Sequence, residues 1–219
     1  MLSKQCINYD GGNHARLLPL YVQQLLAYAR EQGMTIEAVA LSEGPGSYTG
    51  LRIGTSTAKG LCYGLNVPLI PVPTLSVLCE AAKQRLEVRG ERLEEGTLIP
   101  MIDARRMEVY TMIDGETKAV VVENEECLYS VSEQSERSVF CQAKPVYYFG
   151  DGAEKCSKVF TKANWHYVPD IVPEARFVGV LAERMAIHRT PYTEHQMAYY
   201  EPYYLKEFIA APSHVKGLS

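Results

Sequence analysis

No two of the six cysteines, at positions 6, 62, 79, 127, 141 and 156, stand in C-x-x-C spacing. That argues against a structural zinc site. Several lie inside apolar segments, where cysteine acts as a small hydrophobe. No apolar run reaches the roughly 20 residues a membrane helix needs, and no stretch reads as a secretory signal. This usage implies a reducing cytoplasm. Basic residues are not in excess: the net charge is −4 and the pI about 5.8. A chain that grips nucleic acid unaided carries a basic face, so work on RNA would need a partner to do the gripping. No internal repeat or low-complexity segment is present.

What is there is an ordinary globular composition, 47% apolar and 22% charged over 219 residues. That length allows one or two domains with a sizeable core. Residues 4–9 can form a short strand, and 10–12 read as a turn. From Asn13 an amphipathic helix begins, with Leu17, Leu18, Tyr21, Val22, Leu25 and Leu26 on one broad stripe. Gly33 ends it, and Pro19 predicts either a late start or a kink. Residues 36–41 read as a buried strand, 50–65 as a helix and 68–72 as a strand. Thr74 reads as the N-cap of a helix over 75–88. Residues 87–96 form a charged loop.

The period then changes. Residues 97–103, 107–114 and 117–123 predict an antiparallel meander. Residues 126–138 read as polar loop, 145–152 as a strand entering a glycine turn, and 153–160 and 173–188 as helices. A short strand is expected near 165–169. The tail from 189 is rich in tyrosine and reads as a packed arm rather than a base-stacking platform. Strand–helix alternation followed by a meander implies an α/β fold with mixed sheets. A boundary near residue 95 divides 1–95 from 96–219.

Residues 42–60, SEGPGSYTGLRIGTSTAKG, carry five glycines and a lysine. The P-loop pattern fails, because Lys59 is preceded by Ala58 and followed by Gly60. The dinucleotide fingerprint fails too: Gly44, Gly46 and Gly50 are spaced one residue too widely. Strand, glycine turn and helix start still make a general anion site, with Ser47, Tyr48, Thr49 and Arg52 as candidate phosphate contacts. Ser47 and Thr49 could equally cap the helix. Gly50, Gly54 and Ala58 recur every four residues and make a bare ridge, with Thr55 beside it. Two helical glycines, each costing about 1 kcal/mol against alanine, want a reason. Close packing inside the chain and a helix–helix contact with another protein both supply one. Gly60 and Gly64 make a second small row.

Other residues could carry chemistry. Asp103 ends a strand and is followed by Arg105 and Arg106, which fits a cation site or a base, and fits a solvated hairpin turn as well. Gly150-Asp151-Gly152 fits a nucleotide-contacting turn or simply a tight one. Ser47 lacks the G-x-S-x-G elbow of a serine hydrolase.

The long motif SEGPGSYTGLRIGTSTAKGL, then NVPLIPVPTL, IDARRMEVY and the terminal EPYYLKEF, resembles the bacterial TsaB (YeaZ) family. Those proteins are glycoprotease-like members of the actin/Hsp70/sugar-kinase superfamily. The resemblance covers nearly the whole chain. It implies an actin-like, ribonuclease H-like fold of two subdomains. It also implies a non-catalytic scaffold that pairs with the catalytic paralogue TsaD and the ATPase TsaE. Together these transfer threonylcarbamoyl to N6 of adenosine 37 of tRNA. The implied partner surface is the helix pair 14–32 and 50–65: Leu17, Leu18, Tyr21, Leu25, Gly50, Gly54, Thr55 and Ala58. A homodimer through the same surface is expected when the partner is absent. No intrinsic cofactor is implied, with ATP or ADP only at the assembled complex, and tRNA is met only through that complex.

Two departures stand out. Catalytic relatives hold a metal with H-x-x-x-H on the first helix. Here His14 faces Leu18 in that spacing, and leucine cannot ligate, so no metal is expected. The chain also opens, at Ser3 to Tyr9, where the family pattern has its third strand. The pattern's opening hairpin, with its phosphate-contacting D-T-S turn, therefore has no counterpart here, which argues against intrinsic ATP binding and for an exposed sheet edge. The alternative function is an actin-like ATPase or a glycoprotease-type metallopeptidase.

Overall fold

The computed structural model describes residues 2–9, 13–90, 96–113, 115–128, 144–188 and 194–206. Expectations that fall on 10–12, 91–95, 129–138, Cys141, Tyr192 and the tail beyond 206 lie outside these residues. The helices are α1 (His14–Glu31), α2 (Tyr48–Leu65), α3 (Thr74–Val88), α4 (Ala153–Cys156), α5 (Ala175–His188) and α6 (Glu194–Ala198). The strands are β1 (Val39–Gly44), β2 (Leu69–Pro73), β3 (Thr97–Asp103), β4 (Glu108–Ile113), β5 (Glu116–Val121), β6 (Val146–Phe149) and β7 (Trp165–Val168).

Strands β1 and β2 form a parallel pair joined through α2. The second sheet has the order β5-β4-β3-β6-β7. Its β3-β4-β5 part is the antiparallel meander, and β6 and β7 add in parallel to β3. Both faces of this sheet are covered, and the alternation of β6 shows why. Tyr147 and Phe149 enter one core, while Val146 and Tyr148 enter the other. Successive side chains of a strand point to opposite faces, so an all-apolar strand serves two cores at once. The larger core links the two sheets through α3 and α5, with Val72, Leu75, Leu78, Ile102, Phe149 and Phe177 packed together. Helix α5 thus returns from the second half to the first, and Arg184 on it pairs with Glu80 on α3 at 2.9 Å. Burying each such large apolar side chain contributes about 1.5–3 kcal/mol.

Three sequence expectations change. Residues 4–9 form no strand. They run beside α1 and α5 through Cys6–Gln24, Tyr28–Ser3 and Gln5–Glu174 contacts instead of a backbone ladder. A short alternating stretch becomes a strand only where a neighbour pairs with it. Helix α1 starts at His14 and continues through Pro19, so the late start is not found; the proline leaves the Ala15 carbonyl without its usual helical N–H donor. Thr74 is the first residue of α3 rather than its cap; Pro73 holds the cap position. The Thr74 hydroxyl instead meets Ser42 Oγ at 2.7 Å and accepts from the Gly44 amide at 3.0 Å. It ties the end of β1 to α3. Among the described residues no helix is long and apolar enough to cross a membrane.

Candidate functional site

Three strand ends converge on one cleft of about 500 Å³. The first is the glycine loop after β1. Gly44 has φ +117°, and a Cβ there would lie 2.6 Å from the Tyr203 carbonyl oxygen, so only glycine fits. The Gly44–Pro45 peptide is cis. Ser47 follows as the N-cap of α2, its Oγ accepting from the Gly50 amide at 3.4 Å. Capping is therefore one role this serine fills. The Tyr48 ring lies under the Arg52 guanidinium at 5.5 Å and against Tyr204 at 4.9 Å.

The second end is β3. The Asp103 side chain accepts from the Arg105 amide at 3.0 Å, closing the turn into β4. Arg105 and Arg106 sit at φ +72° and +52°, in the left-handed region. Asp103 is also paired with Lys155, whose ammonium donates to the Glu108 carbonyl at 2.7 Å. Partial burial pushes the Asp103 pKa up. The Lys155 hydrogen bond, the Arg105 amide and the two nearby charges outweigh it and hold the carboxyl below the usual carboxylate range.

The third end is β6. Gly150 has φ +102° with the Met101 carbonyl oxygen 2.2 Å from where a Cβ would stand. Gly152 is pressed less closely, with a Cβ there 2.9 Å from the Ile102 carbonyl carbon. This close approach lets Asp151 Oδ1 accept from the Asp103 amide at 2.9 Å. The glycines of the G-D-G turn thus serve close backbone packing.

The cleft therefore gathers Ser47, Tyr48 and Thr49 with Asp103, Arg105 and Asp151, which lie far apart in sequence. Its chemistry is lopsided. Asp103 is ionised and neutralised by Lys155, which makes it a weak general base. Among the described residues no three His, Cys, Asp or Glu side chains group as a metal site. The start of α2 lines the cleft, and the start of a helix suits an anion. Sequence reading misses Tyr110, Tyr203, Tyr204 and Lys206 on the wall, and Lys155 beneath it. The terminal EPYYLKEF motif is a signal for the tail residues. Lys155 has none, standing 52 residues from its partner.

The proposed helix surface lies beside the cleft, since α2 starts there. On α1, Leu17, Leu18, Tyr21 and Leu25 are half-buried, while Leu20 is 47% exposed. The ridge on α2 turns inward. A Cβ on Gly54 would meet Leu41 of β1 at 3.3 Å, and Thr55 and Ala58 are buried within this chain. Gly50 sits over its own cap, Ser47. Close packing inside the chain thus accounts for this row. The second row, Gly60 and Gly64, is exposed, and a Cβ at either would meet nothing within 4 Å.

Residues 9–205 match the family model described as TsaD: tRNA N6-adenosine threonylcarbamoyltransferase. The chain belongs to this family. Its curated relatives on the TsaB side include the Haemophilus influenzae protein named tRNA threonylcarbamoyladenosine biosynthesis protein TsaB. That protein is 34% identical over 43% of this chain and 37% of its own length. The Bacillus subtilis protein of the same name is 35% identical, over 48% of this chain and 42% of its own length. The matched region thus spans about two fifths of these curated relatives. A solved structure described as YeaZ from Pseudomonas aeruginosa aligns over 88% of this chain and 84% of that one. Its TM-score is 0.59 at 22% identity, a likeness in fold. The mixed α/β fold of this chain is thus shared with a YeaZ protein.

Proposed function

We propose that this chain takes part in forming threonylcarbamoyladenosine in tRNA, as a non-catalytic scaffold for a TsaD-like paralogue. The observation that carries the reading is the family match over residues 9–205 together with the TsaB relatives. The outer side of α1 and the exposed Gly60–Gly64 row of α2 supply the docking face, because a helix without side chains lets another helix approach closely. A TsaE-like ATPase joins the assembly, and tRNA is met through the complex, in keeping with a net charge of −4. ATP or ADP sits in the cleft between Ser47–Thr49 and Arg105 once the complex has formed. Without the partner the same helices form a homodimer.

The test is genetic and chemical. In a strain lacking this gene, threonylcarbamoyladenosine in hydrolysed tRNA, measured by mass spectrometry, falls to background and returns on re-expression of this chain. Unchanged levels in the deletion strain contradict the proposal.

A further inference from the structure

A second recess, of about 790 Å³, adjoins the cleft and shares Tyr203 and Tyr204 with it. Tyr199 and Tyr200 complete its four tyrosines, and Glu43 and Glu201 stand among them. No lysine, arginine or histidine is found among its described lining residues. The arm that builds it is held in place by the rest of the chain. Met197 and Tyr200 are buried with Ala58, Cys62 and Leu69. The Lys59 ammonium donates to the carbonyls of Ala198 and Tyr200 at 2.9 and 3.1 Å. The lysine of the glycine stretch thus holds backbone, not a ligand. The Tyr203 amide donates to the Glu43 carbonyl at 2.9 Å, which ties the arm to β1.

A single exposed aromatic is ordinary on a surface, but here Tyr199 is 79% and Tyr203 42% exposed in one hollow. Glu201 is exposed beside them. Burial and Tyr48 raise the Tyr204 pKa against the lowering by Arg52, and Glu201 adds to the rise, so its charge reaches that ring. Carboxylates without a cation among them repel a phosphate. A cation with a flat apolar face fits instead, because ring faces attract cations. A guanidinium both stacks on a ring and pairs with a carboxylate, which a compact ammonium does less well. The Tyr48–Tyr204 pair shows the affinity already: Arg52 lies over the Tyr48 ring at 5.5 Å, outside the recess. We propose that the recess is a docking site for an arginine side chain presented by a partner protein. A free small molecule in so open a hollow keeps much of its surface in water, whereas a protein chain brings flanking contacts with it. The net charge of −4 favours such a basic partner. This site is separate from the helix face assigned above and does not depend on nucleotide in the cleft.

The test titrates the full chain with the peptide acetyl-Gly-Arg-Gly-amide and follows backbone amide signals by NMR. Shifts are expected at Glu43, Tyr199, Glu201 and Tyr203. The same peptide with citrulline for arginine keeps the shape and loses the charge; it should bind about tenfold more weakly. Glu201→Gln and Tyr199→Ala should each weaken the arginine peptide about threefold. Both side chains are exposed, so both variants keep the fold, and melting curves check this. Equal binding of the citrulline peptide overturns the proposal. So does the absence of shifts at these residues at millimolar arginine peptide. Adenosine monophosphate shifting them where the arginine peptide does not would make the recess a base-stacking platform and also overturns it. Argininamide or spermidine binding more tightly than the peptide overturns the protein partner.

Discussion

The Tyr203 amide donates to the Glu43 carbonyl at 2.9 Å, while the Tyr203 carbonyl presses on the α-carbon side of Gly44. One residue of the arm thus reads two consecutive residues of the glycine loop. Gly44→Ala would place a methyl 2.6 Å from that oxygen at φ +117°. The expected cost is about 2–4 kcal/mol, the sum of left-handed strain and a displaced backbone. Urea unfolding of the variant checks it; a loss below about 0.5 kcal/mol would show that the arm yields freely.

Glu125 is 4% exposed and accepts from the amides of Thr161 and Lys162, the second at 2.8 Å. Burial raises its pKa, but these amides outweigh burial and leave it below the ordinary carboxylate range. A group with a depressed native pKa stabilises fully above its unfolded pKa of about 4.3, and the contribution fades as pH falls through the native value. Glu125→Gln keeps the shape and loses the charge assistance. It should cost about 1–2 kcal/mol at neutral pH. The gap between variant and wild type should close in acid, which melting curves over a pH series would show.

Cys79 packs against the main core from α3, and burial pushes its thiol up to about 12 despite nearby Lys83. Against an ordinary value near 8.5, its thiolate fraction at pH 8 falls by about a thousandfold. Iodoacetamide should therefore label Cys6 and Cys127, which are free and partly exposed, well before Cys79. Peptide mapping over time gives the order, and early labelling at Cys79 would refute it.

Much of this fold is legible in the residues, and the failures have physical causes. Strand β3 is expected at 97–103 and lies at Thr97–Asp103, because its apolar run is bounded by charged sequence on both sides. Residues 4–9 pack beside a helix and meet no strand to pair with among the described residues, and pairing is not written into one segment. The candidate site is legible as two unrelated groups, 47–49 and 103–105 with 150–152. The parallel placement of β3 and β6 joins 103–105 to 150–152, and the core shared by the two sheets brings 47–49 beside them. The small-residue ridge at Gly50, Gly54 and Ala58 is plain in the sequence, but spacing alone does not say which face of a helix looks inward. Leu41 decides that.

Gly60 lies within α2 with open space around it. Gly60→Ala should stabilise the isolated chain by about 0.5–1 kcal/mol, the helix propensity gain. Thermal melting reads it directly. Destabilisation would mean that the outer row is packed within the chain.

The same position gives the most direct test of the scaffold reading. Leucine at residue 60 is compatible with the isolated fold but would block close approach of another helix. The measurement is size-exclusion chromatography with light scattering of this chain mixed with the TsaD-like paralogue of the same organism. Wild type should elute as a heterodimer, and Gly60→Leu should leave the two proteins apart while melting no lower than the wild type. A wild-type chain that never joins the paralogue, or a Gly60→Leu variant that joins it unchanged, would contradict pairing through this face.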